Sequence, residues 1–179
     1  MVAGFRRAVT PANDLRIGDL YLVPAERALT RFCRVGAARA HIPVPCPTRV
    51  PAPSGSVIDC GGATPCATPG RFVLEGDFTG PLGYVGAGNG AGHLWFLAAT
   101  PRNRDLIECG GAEPLSGRVS ILERRATWLE CPPGSELNSG HVLLEWRREN
   151  VVYVVSVHGV TPLNRRLTVA LARQVRFVR

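Results

Sequence analysis

Two histidines and six cysteines are the residues here whose type and spacing bear most directly on chemistry. His141 and His158 close the two ends of "HVLLEWRRENVVYVVSVH". Taking Glu149 and Asn150 as loop residues sets Arg148 against Val151, Trp146 against Tyr153, Leu144 against Val155 and Val142 against Val157. The large apolar side chains then share one face, and a one-residue slip would scatter them over both. The other face carries Arg147 with Val152, Glu145 with Val154 and Leu143 with Ser156. At its open end His141 stands opposite His158, with backbones about 5 Å apart. Two imidazoles are too few for zinc, which wants at least a third protein ligand, and Glu145 sits two pairs further along. Either histidine is a candidate general base for Ser139 or Ser156, but the strained G-x-S-x-G turn of an exposed nucleophile is absent. The favoured reading is a polar pair that caps the sheet edge, with Gly140 and Gly159 turning the chain.

Cys33, Cys46, Cys60, Cys66, Cys109 and Cys131 form an even set. The closest pair, in "CGGATPC", lacks the C-x2-4-C spacing of a zinc site, and no C-x-x-C redox motif occurs, so no metal is expected. Cys109 ends "DLIEC" and Cys131 ends "TWLEC", each followed at once by turn residues, as two strands ending at one sheet edge would be. Cys60 and Cys66 flank a Gly-Gly turn, which leaves Cys33 with Cys46. Six cysteines allow 15 connectivities, so this set is one choice among them. Disulfides are favoured over reduced, buried thiols, and with them an oxidising compartment; each bridge contributes about 2–4 kcal/mol.

Composition narrows the remaining chemistry. All 21 Lys-plus-Arg positions are arginine, which removes Schiff bases, a P-loop lysine and a Ser–Lys dyad. The net charge of +7 suits an anionic partner such as an envelope surface. The arginines are dispersed as doublets, without interleaved aromatics, so a solvated basic face is favoured over a nucleic-acid site. "GAGNGAG" fails the dinucleotide pattern and reads instead as a hairpin turn at Asn89-Gly90. No cofactor is expected. No apolar run approaches the roughly 20 residues of a membrane span, and "MVAGFRRAVTPANDLRIGDL" has no apolar h-region. The chain is then either cytosolic or separated from a targeting or anchoring segment absent from this sequence.

The elements that must position these residues are short. Gly 20 and Pro 15 imply many turns and favour an antiparallel sheet over a bundle. Residues 1–23 read as an arm or irregular lead-in, and 24–179 as one domain. A helix is expected from Pro24, with Leu29, Phe32, Cys33, Ala37 and Ala40 on one face. The proline-rich 41–53 is extended or an edge strand. Strands are expected at 56–59, 71–75, 82–85, 93–98, 105–109, 118–123 and 126–131. Thr161 caps a second helix with Pro162 as its first residue. Its stripe of Leu163, Leu167, Ala170, Leu171 and Val175 should pack on the Trp146/Tyr153 face. The fold class is α+β: a curved antiparallel meander with an N-terminal helix and a C-terminal amphipathic helix packed on it.

Trp146, Tyr153, His158, Gly159 and the Leu163–Leu171 stripe make the last quarter of the chain resemble the closing strand–turn–strand–helix unit of small bacterial extracytoplasmic domains. Such domains sit behind a lipoprotein anchor or a single membrane span, some on anti-sigma-factor-like proteins. The resemblance implies a secreted or membrane-anchored domain and carries no catalytic residue. The expected function is therefore non-enzymatic sensing or binding of a protein or small molecule. The alternatives are a secreted hydrolase-type enzyme using His141 or His158, and an intracellular basic protein with reduced cysteines. Alkylation of native-source protein at lysis, read by intact mass after denaturation, should find no free thiol. Six alkylated cysteines would reverse the compartment assignment.

Overall fold

A computed structural model describes residues 15–17, 20–52, 58–59, 66–84, 90–106, 113–131 and 140–179. At its centre lies the hairpin of β11 (His141–Arg148) and β12 (Val151–His158). Its eight Cα pairs run from His141↔His158 to Arg148↔Val151, the register expected from the apolar alternation. Glu149 takes a positive φ of 56° at the turn.

Around this hairpin an eight-stranded antiparallel sheet is assembled. β7 (Arg71–Tyr84) and β8 (Gly90–Ala99) form a long hairpin, and β8 pairs with β12. On the other side β11 pairs with β10 (Arg124–Glu130), which pairs with β9 (Glu113–Ile121). Two short strands, β5 (Ile58–Asp59) and β6 (Ala67–Thr68), both pair with β7. The run β9 to β12 is a meander. Apart from the short β5 and β6, sequential order is broken where β9 begins at the far edge from β8.

The same face that carries Val142, Leu144, Trp146, Tyr153, Val155 and Val157 forms the main core. Both helices pack on it. In α1 (Arg27–Ala40) Leu29, Cys33, Ala37 and Ala40 are buried, and Arg27, Arg31, Arg34 and Arg39 are exposed. Gly36 is buried as well, because the Phe72 ring lies against its backbone. In α2 (Pro162–Arg173) the Thr161 hydroxyl accepts the Asn164 N–H at 3.1 Å, and Leu167 and Leu171 enter the core. The expected stripe ends early, since Val175 belongs to β13 (Val175–Val178).

That strand gives the proline-rich segment its partner. β13 pairs with β3 (Val44–Pro47) in a separate two-stranded sheet. Prolines 45 and 47 cannot donate, so a strand with one ladder partner suits them. Cys46 of β3 is bonded to Cys33 of α1. The bridge ties the edge strand to the helix across a sequence separation of 13, which stabilises the fold by about 2–4 kcal/mol.

Several expectations are corrected. Pro24 does not open the first helix; it ends β2 (Leu20–Pro24), opposite Arg49 of β4 (Arg49–Ala52), and the helix begins three residues beyond it, at Arg27. The ladder to β4 claims "LYLVP" before the helical turn can. Part of the lead-in is therefore strand, since β1 (Leu15–Ile17) and β2 join β4 in a three-stranded sheet. Residues 1–14 lie outside the described residues. Asp105 and Leu106 belong to a 3-10 stretch, Pro101–Leu106, rather than to a strand. The strand expected at 118–123 stops at Ile121, because Leu122 and Glu123 turn the chain with φ of 47° and 66°. The Asn89 half of the glycine turn lies outside the described residues; Gly90 is already paired with Tyr84.

Gly36 gives a test of this packing. Gly36→Ala would drive a methyl group into the fully buried Phe72 ring. The cost expected from overpacking is about 1–3 kcal/mol, read as a lowered urea midpoint with unchanged slope. An unaltered midpoint would mean that Phe72 has room to move.

Candidate functional site

Alternation decides which side chains meet. Trp95 on β8, His141 on β11, and Ser156 and His158 on β12 share the face opposite the main core, with Ser156 paired directly to Trp95. The His141 ring stacks on Trp95, with centroids 4.5 Å apart and planes 21° apart. Its edge meets His158 at 4.8 Å in a T-shaped contact. Its Nδ1 is 2.7 Å from Ser156 Oγ. The sequence-derived pair is thus brought together, and Ser156 joins it. Cys33 and Cys46 form the expected bridge, and Cys66 and Cys131 are each in a disulfide. Cys60 and Cys109 lie outside the described residues, and with them the pairings 60–66 and 109–131; Ser139 lies outside as well.

The histidine face is not the half-polar surface that the alternation suggested. Val73, Leu97, Leu143, Val152, Val154 and Cys131 form a second buried cluster there. Side chains of β11 and β12 are thus buried on this face as well as on that of the main core. His141 is 2% exposed and Ser156 has no exposed surface. Burial holds the His158 imidazole below its ordinary pKa, which favours its neutral form near pH 7. A hydrogen-bonded Ser and His are half of a nucleophile–base pair. Here the hydroxyl lies mid-strand, closed off from any substrate carbonyl. Among the described residues no group of three His, Cys, Asp or Glu is placed to hold a metal.

One polar residue of this region was missed from the sequence. Asn164, on the first turn of α2, is 2% exposed and donates from Nδ2 to the carbonyls of both His158 and Gly159, each at 2.8 Å. Gly159, at φ 95°, donates its N–H to the Gly140 carbonyl at 2.8 Å. The His-Gly corner is therefore fastened to the helix. The available signal was an amide three residues after the Thr161 cap, where solvent would otherwise be expected.

The other flank of α2 borders an open groove of about 510 Å³. Arg165, Arg166, Val169, Ala170 and Arg173 line it from the helix, Arg16 and Ile17 from β1, and Trp128 from β10. The helical spacing explains the set: these positions follow one another along one side, while Leu167, Thr168 and Leu171 face the sheet. Ile17 and Trp128 form a buried floor. Arg166 and Arg173 are exposed, Arg16 also lies 5.9 Å over the Tyr21 ring, and Arg165 reaches Glu130 at 3.9 Å. That last pair is partly exposed, where an ion pair is weak and easily exchanged. Neither the groove nor its lining was anticipated, because its walls are distant in sequence.

Comparison of the chain with protein-family models, curated proteins and solved structures finds no match.

The depressed His158 pKa sets a sign for acid sensitivity. The unfolded chain takes up the proton first, near pH 6.5, so this group leaves stability level above that pH. It lowers stability as pH falls from there through the folded pKa. Urea midpoints at pH 7.5 and pH 5 should show a smaller acid loss for His158→Gln than for the parent. An equal or greater loss in the variant would contradict the assignment.

Proposed function

We propose that this chain is a non-enzymatic extracytoplasmic binding domain, and that the groove between α2, β1 and β10 is its ligand site, with an anion as ligand. The observation that carries this reading is the convergence of Arg16, Arg165, Arg166 and Arg173 on one concavity with an apolar floor. Guanidinium groups present planar donor forks that match carboxylate and phosphate oxygens. The net charge of +7 would steer such ligands toward the protein, or the protein toward an anionic envelope surface. Bonded cysteines are compatible with an oxidising compartment, and the C-terminal resemblance points the same way. No helix among the described residues is long and apolar enough to cross a membrane.

The hydrolase alternative draws on one observation, the 2.7 Å contact between His141 and Ser156. Full burial of that hydroxyl weighs against it, since a nucleophile must be reached before it can attack. The intracellular alternative with reduced cysteines is at odds with the bonded state of Cys33, Cys46, Cys66 and Cys131.

Charge selectivity at constant tail tests the proposal. Octyl phosphate, below its micelle concentration, should bind at least about tenfold more tightly than octyltrimethylammonium, as charge-assisted contacts require. The double variant R166E/R173E should lose that preference. R31E/R34E, which makes the same charge change on exposed positions of α1, should keep most of it. Equal binding of the two amphiphiles, or equal losses in the two variants, would end the assignment of the groove as an anion site.

A further inference from the structure

The lining of the groove says more than the sign of its ligand. We infer that the ligand is a single-chain amphiphile, with a phosphate- or carboxylate-type head and an apolar tail; this rests on the groove being the binding site. Four of the lining residues are cationic and the other four, Ile17, Trp128, Val169 and Ala170, are apolar. They are also ordered. Along α2 the sequence Arg165-Arg166, then Val169-Ala170, then Arg173 puts an apolar turn between cationic turns. At 1.5 Å per residue, Arg166 and Arg173 stand roughly 10 Å apart along the helix, too far for one small anion to span by itself.

A compact anion would engage one end of the groove and leave the half-buried Val169 and Ala170 in water. A purely apolar ligand would cover the aliphatic floor and strip water from guanidinium groups without compensation. A molecule with a head at one end and a tail along Val169, Ala170 and Ile17 satisfies both. A nucleobase is a poorer fit: Trp128 is only 6% exposed, so its ring faces are already covered and offer no stacking platform. A volume of about 510 Å³ falls within the range, roughly 300–1,000 Å³, that small-molecule sites occupy.

Tail length at a constant head tests this separately from charge. The probes are inorganic phosphate and butyl, hexyl and octyl phosphate, titrated as monomers by calorimetry. Burial of methylenes should tighten binding from butyl to octyl phosphate by at least about tenfold, well below the limit for complete burial. Val169→Asn should shrink that ratio, with near-ultraviolet circular dichroism reporting that the variant is folded. If inorganic phosphate binds as tightly as octyl phosphate, the amphiphile inference is overturned while the anion site stands. If butyl- and octyltrimethylammonium show the same tail dependence and it survives R166E/R173E, the groove is merely apolar, and both readings fall. No binding by any probe would overturn both as well.

Discussion

The pairing of β11 with β12 about the Glu149–Asn150 turn is the constraint on which the rest of the chain depends. Its two strands are central, so each is held by the other and by an outer neighbour, β8 or β10. A slip of β11 by one residue would turn Arg147 and Glu145 under the helices and send Trp146 to the face opposite Tyr153. The misfit would extend along both outer ladders, because register is shared across a sheet. The stacked pair of Trp146 and Tyr153, with Phe177 of β13 edge-on to Tyr153 at 4.7 Å, marks the turn end of the hairpin. Burial there raises the Tyr153 phenol to about 12, so it stays a neutral packing group.

The histidine end obeys the same constraint and shows what it costs in chemistry. Register brings His141, His158 and Ser156 together, and the packing on that face then closes off His141 and Ser156. A buried imidazole presents a flat aromatic surface, and Trp95 stacks on that of His141. Asn164 converts this corner into an anchor for α2, since its amide satisfies two carbonyls that the turn would otherwise leave to solvent. The anchored helix then presents its arginine flank in a defined place. Thus the buried polar corner acts on the groove by positioning the helix that forms one wall.

Much of the architecture was legible locally. The apolar alternation of β11 and β12 specified eight pairs, Thr161-Pro162 specified the start of α2, and the helical spacing of Leu29, Cys33, Ala37 and Ala40 specified the buried face of α1. Local reading failed where a distant partner decided the outcome. Pro24 resembles a helix start until β4 claims it as the end of a strand. Val175 continues a helical stripe until β3 draws it into a ladder. Gly36 carries no periodic signal, yet Phe72 packs against it from a strand more than thirty positions away.

By itself, then, the sequence determined the secondary-structure periods, the central register, the caps and the chemistries that a chain without lysine cannot perform. These follow from preferences that act between residues near in sequence or across one tight turn. Tertiary structure alone decided that both faces of the central hairpin carry buried side chains, which removes His141 and Ser156 from solvent. It also decided that Arg16, Trp128 and the flank of α2 meet around one concavity. Burial and enclosure depend on which distant elements pack together, and no spacing along the chain records that.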